Sequence, residues 1–282
     1  MKISQKDIAL ISQVAYQSRL KTIDVANRVS GAHIGGIFSI TDFLSTYYFL
    51  LKKKFNLNIS FYKGSSQIPL DLIFSKGHCY LAQLSVLDSI FKKKSYCESY
   101  LTEGTSFFGH AKRIGSHIFP LSSGALGQGI TFGNGIALSN SLSNKKNKTI
   151  SIIGDGEMNE GSVTEALLFA SHNKINHTII LDNNNQMSLN KTTSILSIGD
   201  LKKRIKSYGI NYLEIDGHDY NQLTFIIKKH ILDSNKTYPL FINLKTIKGK
   251  GVKFMEKNYK WHHRRFKNNE YQDALKDLYI IK

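Results

Sequence analysis

The chain has 282 residues, 41% of them hydrophobic and 11% aromatic, with a formal net charge of +17 at pH 7. That length can bury a substantial core, and the composition lies far from that of disordered chains. The charge invites nucleic acid, but 32 of the 38 basic residues are lysines scattered over the whole length, which defines no phosphate-tracking patch. Nucleic acid is therefore not an expected partner, whereas a general pull on phosphorylated ligands is.

The opening, MKISQKDIALISQVAYQ, breaks its apolar residues with Gln, Lys, Asp and Ser and holds no signal-peptide core. No stretch is expected to cross a bilayer, and a cytoplasmic location is expected. A helical spacing follows at 40–54 (ITDFLSTYYFLLKKK), then a β-type run at 70–75 (LDLIFS) and helical stretches at 79–91 and 127–142. The β-type run TISIIG (149–154), the helical SVTEALLFASHN (162–173) and the run HTIILD (177–182) form one strand–helix–strand unit. NYLEID (211–216), the helical NQLTFIIKKHIL (221–232) and PLFINLKT (239–246) complete the series.

The runs at 149–154 and 177–182 hardly alternate, as strands covered on both faces do. Strands alternating with helices, with no repeat and no Pro/Gly/Ser linker, predict one α/β domain over residues 1–282. Its sheet should be doubly wound and mostly parallel, with helices on both faces. The only cysteines, Cys79 and Cys97, have no metal-ligand spacing and read as free thiols of a reducing compartment.

In such folds ligands sit beyond the carboxyl ends of the strands. Two clusters fall there: Gly154, Asp155 and Gly156 after one run, and the asparagines ending at Asn185 after the next. The glycines let the backbone turn sharply and approach a bulky anion, and the residues after them, from Glu157, begin a helix whose first amides favour phosphate. Asp155 offers a carboxylate and Asn185 an amide oxygen, ligands suited to Mg²⁺ or Ca²⁺. The spacing thus predicts a diphosphate held through a divalent ion.

GDG followed about thirty residues later by an asparagine tract resembles the thiamine diphosphate motif. The resemblance implies metal ligation by Asp155, Asn185 and the main-chain carbonyl of Met187. Further segments, in order, are similar to the amino-terminal half of the transketolase family: SGAHIGGIFSITDFL (30–44), FSKGHCYLAQ (74–83), FFGHAK (107–112), SSGALGQGITFGNGIAL (122–138), EIDGHD (214–219) and KTIKGKGVKFMEKNYKWHH (245–263). They imply catalytic or substrate-contacting roles for His33, His78, His110 and His262. They also imply cofactor contacts from His78, Gly124, Ala125, Leu126, Gly154, Asp155, Gly156, Glu157, Asn185 and His262.

His117, His172, His177, His218, His230 and His263 lack such context and are expected on the surface or as satisfied core partners. Glu160 either suits a helix start or lies at a subunit contact.

The family's ring-activating glutamate sits on a second, pyrimidine-binding domain, which is expected on a separate carboxy-terminal subunit in an α2β2 assembly. The implied activity is transfer of a two-carbon ketol unit from a ketose to an aldose, with sugars or sugar phosphates as substrates. Another thiamine diphosphate-dependent lyase, decarboxylase or 2-oxo acid dehydrogenase component stays open, as does a basic scaffold without cofactor.

The chain departs from the family in three places. Ala111 and Ala125 replace prolines, and no arginine lies between Arg28 and Arg113 to grip a sugar phosphate. His263, Arg264 and Arg265 could add an anion contact or simply be solvated.

Overall fold

The computed structural model describes residues 2–29, 31–57, 70–92, 95–105, 107–113, 120–145, 147–188, 190–234 and 238–281; His117 lies outside them. The chain opens with α1 (Gln5–Arg28), which the broken apolar pattern did not announce. Its start is set by a reciprocal cap, Ser4 Oγ accepting from the Asp7 N–H (3.2 Å) while Asp7 Oδ2 accepts from the Ser4 N–H (2.7 Å). The buried stripe mixes Ile11, Ala15 and Ile23 with Ser18, Arg19 and Thr22, so polar residues that break the sequence pattern nonetheless face inward.

Next comes α2 (Ile34–Phe55), buried along nearly its whole length and closed by left-handed Asn56. By length and composition it could cross a membrane, contrary to the sequence expectation, but 94% of its most apolar 18-residue stretch is buried within the fold. Gly35 and Gly36 belong to the helix rather than to a turn. A Cβ on Gly35 would meet the Trp261 carbonyl oxygen at 2.8 Å, and one on Gly36 would meet Cys79 Sγ at 2.7 Å.

The remaining elements run β1 (Leu70–Phe74), α3 (Leu81–Ile90), α4 (Ser95–Ser99), α5 (Gln128–Leu142), β2 (Lys148–Gly154), α6 (Gly161–His172) and β3 (His177–Asn183). Then follow α7 (Thr192–Ile195), α8 (Leu201–Ser207), β4 (Asn211–Asp216), α9 (Tyr220–Ile226) continued by a π-helical turn to Leu232, β5 (Leu240–Lys245) and α10 (Glu270–Ile281). All five runs expected as strands are strands, in the order β1-β2-β3-β5-β4 and parallel throughout.

Side chains alternate between two apolar layers. Ile150, Ile152, Ile180 and Ile242 pack with Phe38, Leu44 and Leu223 of α2 and α9. Ile153, Ile179, Leu181 and Phe241 pack with Ile130, Val163, Leu167 and Ile205 of α5, α6 and α8. The sheet is therefore doubly wound, with helices on both faces, as expected. The register sets Gly154 beside Asp182 and Asp182 beside Leu244, so β2, β3 and β5 end side by side.

Candidate active site

Where β2 ends, Asp155 turns into a short 3-10 helix, Gly156–Asn159, with its carboxylate buried. Asp155 Oδ1 accepts from the Gly156 N–H (2.9 Å); Oδ2 accepts from the Gln186 N–H (3.1 Å) and Thr192 Oγ1 (3.1 Å). The same Gln186 N–H also donates to Asn184 Oδ1 (3.1 Å). One backbone donor thus gathers a carboxylate oxygen from the β2 tip and an amide oxygen from the β3 tip.

The residue at the β3 tip is Asn184, not the expected Asn185. Side chains alternate across a strand, and a shift by one residue exchanges the faces. Asp182 and Asn184 both point toward α2, where Ser39 Oγ lies 2.5 Å from Asp182 Oδ2 and 3.3 Å from Asn184 Nδ2. Asn185 is exposed, in the left-handed conformation (φ +58°), and its carbonyl accepts from the Thr192 N–H (3.2 Å). The expected Met187 carbonyl is likewise displaced: it accepts from Lys248 Nζ (3.1 Å), and an oxygen already bound to an ammonium is a poor metal ligand. Counting from Asn184, the corresponding carbonyl is that of Gln186. Among the described residues no three His, Cys, Asp or Glu side chains converge as a metal cage.

Two lysines absent from the sequence expectations line the same cleft. Lys76 is buried and forms an ion pair with Asp182, whose other oxygen is held by Thr246 Oγ1. Burial opposes the charge on Lys76, but the attraction of Asp182 more than offsets this and raises its pKa. Lys248 is 2% exposed, and its ammonium lies between the Met187 carbonyl and His262 Nδ1 (3.3 Å). Burial first, then repulsion from Lys76, brings its pKa down to about 8. Nothing in the sequence separates Lys248 from Lys245, Lys250 and Lys253 around it.

Glu157, expected among the cofactor contacts, lines the cleft, but its carboxylate is committed to the protein. It accepts from Ser75 Oγ, the Gly127 N–H (2.8 Å) and the Gly154 N–H (3.1 Å), tying the ends of β1 and β2 to the start of α5. Of Gly124, Ala125 and Leu126, all exposed, Leu126 lines the cleft. Gly156 leaves room for Met187, whose Cγ would lie 3.3 Å from an added Cβ.

His33, His78, His110 and His262 come from four separate segments of the chain and meet in one cluster. The His33 ring centroid lies 4.8 Å from that of His78, 5.9 Å from His110 and 5.2 Å from His262. His263, expected outside the site, joins them at 4.5 Å from His33. The arrangement is pinned where Ala32 pairs with Arg264 across an isolated bridge. Arg264 is partly exposed but already paired: it lies over the Trp261 ring (4.3 Å), and its Nη2 donates to both carboxylate oxygens of Glu270 (2.8 and 3.0 Å). One expectation outside the site is met. His177 is buried between Asn134 Oδ1 and Ser151 Oγ, each at 2.8 Å, a satisfied core partner.

Burial, reinforced by neighbouring positive charge, brings His33 down to about 3 and His262 down to about 4; His78 and His110 are lowered for the same leading reason. These rings are neutral at pH 7, each with one N–H to donate and one nitrogen to accept.

A stability prediction follows. Below pH 6.5 the unfolded chain takes up protons at these histidines that the folded chain refuses, so stability falls as pH falls toward 4. Each histidine contributes up to ~1.4 kcal/mol per pH unit in that window. Asp155 and Glu157, pushed upward by burial, act in the opposite direction. The histidine share is isolated by comparing urea midpoints of the wild type and His33→Gln between pH 7 and 5. The variant should lose less stability; equal losses would contradict the assignment.

The cleft amounts to about 100 Å³, too little to enclose an organic cofactor, and is open to solvent. A larger groove of about 850 Å³ between α1, α2 and α3 holds no histidine and no strand tip, so size does not choose the site.

Comparison with known proteins identifies the family and the fold. Residues 12–279 match the family described as transketolase, thiamine diphosphate binding domain. An apulose-4-phosphate transketolase subunit of Phocaeicola vulgatus is 25% identical over 264 residues, covering 93% of this chain and 91% of that protein. The 6-deoxy-6-sulfo-D-fructose transketolase subunit SqwG of Clostridium sp. is 28% identical over 282 residues, covering 98% of each. Transketolase from Campylobacter jejuni superposes with a TM-score of 0.79 at 21% identity, over 99% of this chain and 43% of that one. For Leishmania mexicana transketolase the TM-score is 0.78 at 20% identity, over 95% and 41%. At these identities the solved structures show the shared fold, and this chain spans less than half of either.

Proposed function

Because the chain belongs to the transketolase family, through its amino-terminal thiamine diphosphate-binding domain, we propose that it is the diphosphate-holding subunit of a split transketolase. The reaction proposed is transfer of a two-carbon ketol unit from a ketose to an aldose. The observation that carries the reading is the meeting, above adjacent strand tips, of the Asp155–Asn184 oxygen pair, two buried lysines and a histidine cluster.

The residues fit the cofactor and its metal. Asp155, Asn184 and the Gln186 carbonyl would hold the metal through one carboxylate, one amide and one main-chain oxygen, hard donors of the kind Mg²⁺ accepts beside phosphate oxygens and water. Asp155 brings a negative charge that burial leaves poorly stabilised, and a divalent cation would supply the missing partner. Lys76 and Lys248 place positive charge on the same cleft wall, and an incoming diphosphate would favour the charged form of Lys248.

Thiamine diphosphate, when bound, supplies the carbanion-stabilising chemistry needed to break and form the carbon–carbon bond beside a carbonyl. This chain would hold, orient and proton-balance the reactants. Neutral His33, His78, His110 and His262 can each donate to a sugar hydroxyl or carbonyl and accept a proton at the other ring nitrogen. Their mutual repulsion would resist a second proton while one is held.

The cleft is too small and open to surround the whole cofactor, which supports a second wall from a carboxy-terminal subunit in an α2β2 assembly. The names of the two relatives point to sugars with a terminal phosphate or sulfonate, and the +17 charge suits such anions. Buried free Cys79 and Cys97 suit the cytoplasm, the location proposed here.

Two experiments test the reading. With its partner subunit the chain should turn over ketose phosphates or sulfonates with an aldose acceptor; turnover of 2-oxo acids alone would overturn the transfer reaction. Asn184→Ala should weaken thiamine diphosphate binding in Mg²⁺ by about 10- to 100-fold, the range seen when metal-site support is lost, and Asn185→Ala should change it little. The reverse pattern, read by calorimetry, would return the metal to Asn185.

A further inference from the structure

The turn that follows β5 carries Lys248 into the cleft, and successive residues of it are tied to different parts of the molecule. The Thr246 N–H donates to the Asn183 carbonyl (3.0 Å), the Gly249 N–H to the Gly35 carbonyl (2.9 Å), and the Lys248 carbonyl accepts from the Lys257 N–H (3.0 Å). Those anchors use main-chain partners. The Ile247 N–H differs: it donates to a side chain, His218 Nε2, at 2.8 Å.

His218 stands just beyond the tip of β4, outside the histidine cluster. Its Nδ1 lies 2.7 Å from Asp42 Oδ2. Asp42 in turn accepts two bonds from Arg19 (2.9 and 2.8 Å) and one from the Tyr220 hydroxyl (2.7 Å), and Arg19 also reaches the Phe38 carbonyl (3.1 Å). Arg19 and Asp42 are buried, so the carboxylate is fixed from α1, α2 and the β4–α9 connection together. The partners determine the tautomer. An amide N–H can only donate, so Nε2 must present its lone pair to Ile247, and the ring proton sits on Nδ1 facing the carboxylate. The two loops are also closely packed: a Cβ on Gly217 would meet Thr246 Cγ2 at 2.5 Å.

We infer that His218 is a positioning residue: held in one orientation and one tautomer by Asp42, it fixes the Ile247 amide and thereby the place of Lys248 in the cleft. What Lys248 then does for a ligand rests on the function proposed above; that His218 holds it does not.

The test uses the full chain and three variants. His218→Asn keeps a donor toward Asp42 but removes the acceptor for Ile247, His218→Gln keeps an acceptor at the reach of Nε2, and Tyr220→Phe removes one bond to Asp42 without touching the ring. Reaction of lysines with acetic anhydride is read residue by residue by mass spectrometry. Lys248 should label several-fold faster in His218→Asn, while Lys76, secured independently by Asp182, stays as in the wild type. His218→Gln should restore slow labelling, and Tyr220→Phe should leave it unchanged.

Unaltered Lys248 labelling in a folded His218→Asn, a parallel rise at Lys76, or the same rise in Tyr220→Phe would each overturn the inference. So would a His218→Gln variant as reactive as His218→Asn. If His218→Asn does not fold, ¹⁵N spectra of the wild-type imidazole decide: a proton on Nδ1 and a bare Nε2 are required, and a protonated Nε2 overturns the inference.

Titration of thiamine diphosphate with Mg²⁺ separates this outcome from failure of the proposed function. Affinity about 10-fold lower in His218→Asn than in the wild type links the two. Faster Lys248 labelling in a chain that binds no cofactor would leave the positioning role standing and the proposed function refuted.

Discussion

Asp155→Ala is expected to weaken thiamine diphosphate binding in Mg²⁺ by more than about 100-fold, beyond the 10- to 100-fold typical of outer-sphere changes at metal sites. Among the described residues, Asp155 is the cleft-wall carboxylate that meets Asn184 at a shared donor, the Gln186 N–H. Glu157 is committed to Ser75, Gly127 and Gly154, and Asp182 to Lys76, Ser39 and Thr246. Removing the Asp155 side chain also strips the donors on Gly156 and Thr192 of their acceptor and leaves the Gln186 N–H with Asn184 Oδ1 alone, so some loss of stability accompanies the loss of binding. Asp155→Asn separates the two effects. It removes the charge and keeps one oxygen, enough for Gln186 and Thr192, while its NH2 is set against the Gly156 N–H, so it should be less destabilised than Asp155→Ala while still binding poorly. Titration calorimetry and thermal unfolding of both variants check this; Asp155→Asn with wild-type affinity would show that the negative charge is not the ligand.

Lys76→Met should be the most destabilising single change in the cleft, by about 3–5 kcal/mol, the loss typical when one member of a buried ion pair is removed. The side chains of Lys76 and Asp182 are 6% and 0% exposed. Methionine nearly fills the volume of lysine, so packing is largely kept and the effect is that of an uncompensated Asp182 carboxylate beneath the cleft. Ser39 and Thr246 continue to hold that carboxylate but bring no positive charge. For a chain of this size such a loss lowers the melting temperature by roughly 10 °C. Adding Asp182→Asn to Lys76→Met should recover most of it, because the pair then vanishes together. Additive losses in the double variant would show that the two groups do not interact.

Much of this was legible in the sequence, and what was not has physical causes. The strands β1 to β5 announce themselves because buried parallel strands need unbroken runs such as TISIIG and HTIILD. Helix α1 did not, because its inward stripe includes Ser18, Arg19 and Thr22, whose burial depends on partners such as Asp42 far along the chain. Asp155 was legible because a lone acid between two glycines has one place to go. The asparagine was not, because three stand in a row and only the face of β3 that Asp182 shares selects Asn184. Lys248 and His263 were hidden for a related reason: each stands among like residues, and tertiary contacts alone pick it out.

The most direct measurement of the central claim is calorimetric titration of thiamine diphosphate into the wild-type chain with its partner subunit, once in Mg²⁺ and once after removal of divalent ions with EDTA. Saturable binding in Mg²⁺ that disappears in EDTA is the predicted result. No binding under either condition, or equal binding in both, would contradict a diphosphate held through a metal at Asp155 and Asn184.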